Sequence, residues 1–423
     1  MLIRKHILTI LFAALLIIFS GCLKSKRPGI PDEVQQSLNN AGIRKPGLMK
    51  VLLTYQQHQD SLKLKSAYYL IQNLENNYTI KMSLRDTSEN IIDIDIDKFS
   101  NYAAIQEYKD SIEIELGGIS YKADSIWLDV DTINSEFLIE HIDNAYDCWQ
   151  NSNWDSKVDF NTYCNYILPY RLANEEIELS NKHFQNKYNH LISNNIIETS
   201  TILNSYINRL ISYDERLMVN PNSQKINVTE ESGKGNLIDI NIYKIKALRS
   251  MGIAAALDYT PYYVDSTLGF YSTTVILPNN RKLILTNSSE HTTPYPQGKV
   301  AKVYRRSHNN DPVSLFSIKN RKTHTPPFLG NYNYLDVTDE YIHTANVSID
   351  FTDTTQFVYL AVYNENEWKP IEWAKPGNDG KAHFFNMGTE INYKPVIISD
   401  KEVVSIGDEF FLSIDGDKIR KEY

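Results

Sequence analysis

Three patterns of apolar and polar positions follow one another along this chain. From residue 32 to residue 211 the apolar positions recur at helical spacing. Leu64, Ala67, Leu70, Ile71 and Leu74 follow a capping Asp60, and Leu138, Ile142, Ala145 and Trp149 lie on one face of a helix opening at Asn134 or Ser135. Leu203, Tyr206, Ile207, Leu210 and Ile211 mark a further helix, expected over 195–218. Shorter helices are predicted over 32–40, from Pro46 to 58, and over 160–168 behind Asp159. No fixed period repeats, so the pattern predicts packed helical hairpins rather than a solenoid. Within this half, 92–97 alternates Ile and Asp and predicts an extended strand with an acidic face. Such a face could ligate calcium, although a solvated strand face is the commoner use of it.

The central pattern differs. A polar loop at 219–235 leads into a helix over 236–251, with Ile240, Tyr243, Ile245, Ala247 and Leu248 available for burial and Gly252 at its end. Residues 253–259 form a continuous apolar run, expected of a strand covered on both faces. Strands are also predicted at 272–277 and 282–286, with polar loops at 287–298 and 320–331. From Tyr332 onward the pattern is all-β: six short strands at regular spacing, with Asp415-Gly416 as a hairpin signal. The fold class expected is α+β, with a helical N-terminal region (32–150), an α/β core (151–318) and a C-terminal β-sandwich (332–423).

The 423 residues carry a net charge of −9 and include 28 tyrosines. An acidic chain without a long basic run argues against nucleic-acid binding, which needs concentrated Lys and Arg. Tyrosine excess suits glycan or protein contacts and equally fills strands. Trp368 and Trp373 could form a carbohydrate platform, but alternation along one strand makes at least one a core anchor.

The N-terminus carries its own signal. Arg4 and Lys5 precede an apolar run over 7–19 that is short for a membrane span, and Phe19-Ser20-Gly21-Cys22 follows. This run resembles the lipobox of bacterial lipoproteins. The resemblance implies a signal peptide at 1–21, lipidation of Cys22, a basic tether at 22–31 and attachment to membrane through acyl chains. Leu23 follows the cysteine where an inner-membrane retention signal would place Asp, so the address expected is the outer membrane. Cys148 and Cys164 then remain as thiols; they could pair in an oxidising envelope, two buried inert thiols being the default. No Cys/His spacing suggests zinc, and neither metal nor cofactor is expected.

A cysteine nucleophile works best at a helix N-terminus, with a histidine base and an orienting acid brought from elsewhere. Gly235-Asn236-Leu237-Ile238-Asp239 has that geometry, and Ala247-Leu248-Arg249-Ser250-Met251-Gly252-Ile253 is the helix-to-strand junction behind it. The segment is similar to the transglutaminase-like (papain-related) superfamily, whose core reads Gly-x-Cys at a helix start and then Leu-Arg-x-x-Gly-Ile. The wider chain resembles Bacteroidetes lipoproteins with this core, through Trp154, Asp159-Phe160, Cys164-Asn165-Tyr166, Leu168-Pro169-Tyr170-Arg171 and Glu175 before it, and Lys302-Val303-Tyr304-Arg305 and Asp336-Val337-Thr338-Asp339-Glu340-Tyr341 after it.

The resemblance places Leu237 where the cysteine would stand, Phe270 or Tyr271 at the histidine, and Thr286 or Asn287 at the acid. A leucine cannot attack a carbonyl, and neither aromatic ring acts as a base near neutral pH, so a degenerate triad and a pseudoenzyme are implied. Asp239 and Arg249 read as helix-surface or ion-pairing residues. The expected function is binding of a peptide, protein or glycan in the old groove, walled by Tyr259, Tyr262, Tyr263 and Tyr271. Two alternatives stand beside it. One is a structural subunit of an envelope complex. The other is a cysteine- or serine-type enzyme with relocated residues, for which Cys164 with His183 or His190, and His291 after Ser288-Ser289-Glu290, are the candidates.

Overall fold

The computed structural model describes residues 29–58, 60–152, 154–264, 269–286, 298–320, 323–330 and 333–420. Cys22, Asn287, Ser288, Ser289, Glu290 and His291 lie outside the described residues.

Helices α1 (Asp32–Asn40), α2 (Lys45–Gln57), α3 (Ser61–Asn73), α4 (Tyr102–Leu116) and α5 (Ser135–Gln150) lead the chain. Side chains cap α3, α4 and α5: Asp60, Asn101 and Asn134 each accept an amide N–H from the first turn. Val34, Leu38, Leu52, Leu70, Leu138 and Ile142 form one buried cluster, which continues without a break into Tyr163, Leu168, Ala254 and Ile276 of the centre. The same apolar core therefore spans the boundary expected near residue 150.

The first half is less purely helical than its pattern predicts. Strands β1 (Tyr78–Asp86) and β2 (Ile119–Leu128) pair antiparallel as a long two-stranded ribbon. The Ile/Asp alternation at 92–97 is not a strand. Ile91 makes one bridge to Arg85, Ile92 N–H donates to Leu84, and the chain then turns into a 3-10 helix at Ile96–Lys98 capped by Asp95. Alternation alone makes no strand without a ladder partner.

Helices α6 (Phe160–Tyr166), α7 (Asn181–Tyr188), α8 (Ile196–Leu210), α9 (Ile226–Ser232) and α10 (Leu237–Ser250) follow. The helix expected over 195–218 ends at Leu210 and gives way to a short strand, Ser212–Tyr213, and a 3-10 turn, Glu215–Val219. Strands β3 (Ala255–Thr260), β4 (Phe270–Ile276), β5 (Lys282–Leu285), β6 (Tyr304–Arg306) and β7 (Tyr334–Asp336) form an antiparallel sheet in the order β5-β4-β3-β6-β7. Helix α10 lies on this sheet and is covered by α5, α7 and α8, so every residue from Asp239 to Ser250 is buried.

The C-terminal region is antiparallel β, as expected: β8 (Thr344–Asp350), β9 (Val358–Asn364), β10 (Glu367–Ala374), β11 (Lys381–Gly388), β12 (Ile391–Ser399), β13 (Glu402–Ser405), β14 (Phe410–Leu412) and β15 (Lys418–Arg420). β8 pairs with β11, and the order β10-β9-β12-β14-β15 makes a second sheet with β13 beside β12. Val347, Leu360, Ile371 and Phe384 bury a common core between the two. The buried ammonium of Lys302 joins centre to C-terminus, 2.6 Å from Asp336 and 2.9 Å from Glu372. The tryptophans of β10 are tied down rather than displayed: Trp373 Nε1 donates to Tyr334 at 2.9 Å, and Trp368 lies between Tyr363 and Lys394.

Candidate functional site

The start of α10 is built by local chemistry that the sequence announces. The Asn236 side chain accepts from Asp239 N–H at 3.0 Å and the Asp239 carboxylate accepts from Asn236 N–H at 3.1 Å, a reciprocal capping box. Gly235 is favoured by close approach, since a Cβ there would lie a tight 3.1 Å from that of Asp239. A parallel pairing of Ser212–Tyr213 with Lys234–Gly235 fixes the direction from which the chain enters. At the other end, Gly252 has φ +75° and a Cβ there would meet the Cys148 carbonyl at 2.3 Å, so helix α10 ends against α5 only with glycine.

Asp239 and Arg249 are not surface residues. Asp239 also accepts from Gln224 N–H at 2.8 Å, and burial pushes its carboxyl up to about 6 against the pull of these backbone donors. Arg249 donates to the carbonyls of Ala255 (2.8 Å) and Pro169 (2.8 Å), and burial lowers its pKa to about 10. Lys244, equally buried, donates to the Thr286 carbonyl at 3.2 Å and is pushed down to about 7 by desolvation. Asp239 and Arg249 read from the sequence as helix-surface or ion-pairing residues; a helix surrounded on all sides satisfies them through backbone hydrogen bonds instead.

Leu237 occupies the first turn, half-buried, and Ile238 after it faces a cavity of about 470 Å³. One wall is the ribbon, through Tyr78, Ile80, Met82, Ile126 and Leu128; the other carries Ile238, Leu257, Tyr271, Arg306 and Phe316. The Asn222 side chain fixes the ribbon over the cavity, accepting from Met82 N–H at 2.9 Å and donating to its carbonyl at 2.8 Å. Among the described residues no cysteine or histidine lines this cavity.

Of the two aromatic positions left open opposite Leu237, Tyr271 faces the helix. Its carbonyl accepts from Asn241 at 3.3 Å and its ring lines the cavity. Phe270 lies in the opposite direction, with Tyr263 and a cluster of Val300, Val303 and Val337; neighbouring strand residues point to opposite faces. The Thr286 carbonyl accepts from Lys244 and Asn208.

The four tyrosines expected to wall one groove are dispersed. Only Tyr271 lines the cavity. Tyr259 is buried beneath it, the two rings stacked at 5.9 Å, and its hydroxyl donates to the Phe328 carbonyl. Tyr263 is buried on the far face, and Tyr262 packs edge-on to Phe328 under Lys369. The sequence missed the ribbon wall and Phe316, though Ile80, Met82 and Leu84 do alternate in β1.

The other thiols are unsuited to chemistry. Cys148 and Cys164 are free and buried, and burial pushes both up to about 12. Gln185 contacts Cys148, while His183 pairs with Glu230 at 2.8 Å and His190 packs against Tyr206. Among the described residues no helix is long and apolar enough to cross a membrane.

No family model and no curated protein matches the chain. Among solved structures, a protein of Parabacteroides distasonis named as a "putative protease" is similar over 31% of this chain, at 16% identity and a TM-score of 0.25. The chain spans about a quarter of that protein's length, 26%.

Proposed function

We propose that the chain is a lipid-anchored envelope protein with a transglutaminase-like core that binds a peptide, protein or glycan without reacting with it. One observation carries this reading: the helix start where a thiolate would sit carries Leu237, and the next residue, Ile238, faces a cavity of about 470 Å³ with Tyr271 on the same wall. A cavity of that size, with apolar walls at Ile80, Ile126, Ile238 and Phe316 and polar groups such as Asn174, Asn222 and Arg306 beside them, suits a ligand side chain or a short segment. The aliphatic side chains supply contact area and no nucleophile.

Arrays of peptides and glycans probed with the protein from Cys22 onward test the reading. Binding to a member of one class is expected, weakened about tenfold or more by Ile238→Glu and by Tyr271→Ala, as for central contacts of a small site. Binding that ignores both substitutions would place the ligand elsewhere. Anchoring is tested separately: labelled palmitate enters the protein in cells, and Cys22→Ala abolishes it.

A further inference from the structure

The cavity beside α10 does not end at Arg306. A smaller chamber of about 30 Å³ shares Asn76, Tyr78, Ala173, Asn174 and Arg306 with it and continues inward to Arg171, Arg249, His308 and Asn333. This recess lies where the N-terminal helices meet the centre. His308 packs against Tyr69 and Tyr170, ring centroids 6.0 and 5.1 Å away, and the loop that bears it is tied to α3 by Asn310 N–H donating to Asn73 at 2.8 Å.

Two side chains here are polar, buried and without a side-chain hydrogen-bond partner among the described residues. His308 is 5% exposed and neither ring nitrogen has a hydrogen-bond partner among the described residues. Asn333 is 4% exposed and its Oδ1 is likewise unpartnered among them. Buried polar atoms are nearly always satisfied, and leaving one without a partner is costly. A chamber of about 30 Å³ holds one or two water-sized atoms, which is also the size of a carboxylate's two oxygens.

The charge of the lining selects between these occupants. Arg171, Arg249 and Arg306 line the recess, and among the described residues no carboxylate does. Arg171 is neutralised by Asp129 at 2.5 Å. Arg249 reaches only carbonyl oxygens, with no carboxylate in ion-pair range among the described residues. Arg306 lies over the Tyr259 ring at 5.6 Å. A buried guanidinium without a counter-charge is costly, and an anion beside it offsets that cost. The outer cavity has the opposite character at one point: Glu75 lines it, with Oε1 buried and unpartnered among the described residues. A neutral sugar supplies hydrogen bonds but no charge at either end; a chain carrying an amine and a carboxylate supplies both.

We propose that the recess is an anion subsite that takes the free carboxylate of a short peptide, whose side chains occupy the outer cavity against Ile238, Leu257, Tyr271 and Phe316. The His308 ring donates one N–H to a carboxylate oxygen, while Arg249 and Arg306 supply the field. This rests on the binding reading of the cavity and narrows its ligand to peptide.

Calorimetric titration of the protein from Cys22 onward with a defined set of pentapeptides, each as free acid and as C-terminal amide, tests it. The free acids are expected to bind about tenfold or more tightly than their amides, the scale of one charge-assisted hydrogen bond. Asn333→Asp, isosteric and adding a carboxylate at the recess, is expected to abolish the preference, and Arg306→Gln at the half-buried rim to reduce it. Equal binding of acids and amides overturns the subsite and leaves cavity binding standing. Binding of neutral oligosaccharides with no binding of peptides overturns the subsite as well. Binding of neither class overturns both this inference and the function it rests on.

Discussion

The Thr273 hydroxyl donates to Oδ1 of Asn241 at 2.7 Å, in the buried seam between β4 and α10. The Asn241 amide donates in turn to the carbonyls of Leu237 (2.7 Å) and Tyr271 (3.3 Å). One side chain therefore locks the helix start against the strand opposite it. This contact fixes the spacing between Ile238 and Tyr271, and hence the width of the cavity mouth.

Asn241→Ala would leave the buried Thr273 hydroxyl without its acceptor and would remove the side-chain donor to the Leu237 and Tyr271 carbonyls. The expected loss of unfolding free energy is about 2–3 kcal/mol, measured by urea denaturation, with Thr273→Val losing about 1 kcal/mol. A loss below about 0.5 kcal/mol for Asn241→Ala would show that the seam is not held in this way.

A second stability prediction concerns Arg171 and Asp129, both almost completely buried. Arg171 donates through Nε and Nη2 to the two carboxylate oxygens at 2.8 and 2.5 Å, and Tyr170 adds a third bond at 2.8 Å. Arg171→Met strands the carboxylate and is expected to cost about 3–5 kcal/mol. Asp129→Asn together with Arg171→Met should recover part of that loss, because no buried charge then stands alone. A double variant no more stable than Arg171→Met would contradict the pairing.

How much of this was legible in the sequence depends on what each signal reports. Gly235, Asn236 and Asp239 carry the helix start in their own local bonds, so its position could be read directly. The strands at 255–260, 270–276 and 282–285 lie within two residues of their expected bounds, because a long apolar run and turn residues punctuate them. The burial of the 255–260 strand and of the apolar positions of α10 also followed from the pattern; what failed was the coverage of polar and tyrosine positions. Arg249 and Asp239 resemble surface residues until α5, α7 and α8 enclose their helix, and Tyr259 resembles a groove wall until Phe328 covers its hydroxyl. The alternation at 92–97 and that of Ile80, Met82 and Leu84 are alike in sequence; only the second finds a continuous partner strand. Coverage and pairing are long-range properties. His308 gave no local signal at all, since its ring neighbours Tyr69 and Tyr170 come from α3 and the segment after α6.

The buried histidines set a pH dependence. Burial lowers His141 to about 4, although its Nε2 donates to the Leu168 carbonyl, and lowers His308 to about 3. In the unfolded chain both titrate near 6.5, so between there and about 4 the unfolded state binds more protons. Their contribution to stability is complete above about pH 6.5 and declines as pH falls toward 4, by about 3 kcal/mol for the His141 shift alone. Urea denaturation at pH 7 and pH 4.5 measures it, with His141→Gln as the control. The variant should show a shallower decline; an unchanged slope would contradict the assignment.

The central claim is that the start of α10 binds and does not react. The most direct measurement follows hydrolysis of a peptide amide and incorporation of a labelled primary amine by the purified protein from Cys22 onward, beside Leu237→Ala. No turnover above the uncatalysed background is expected from either protein. Turnover by the wild type, whether Leu237→Ala keeps it or loses it, would contradict the claim.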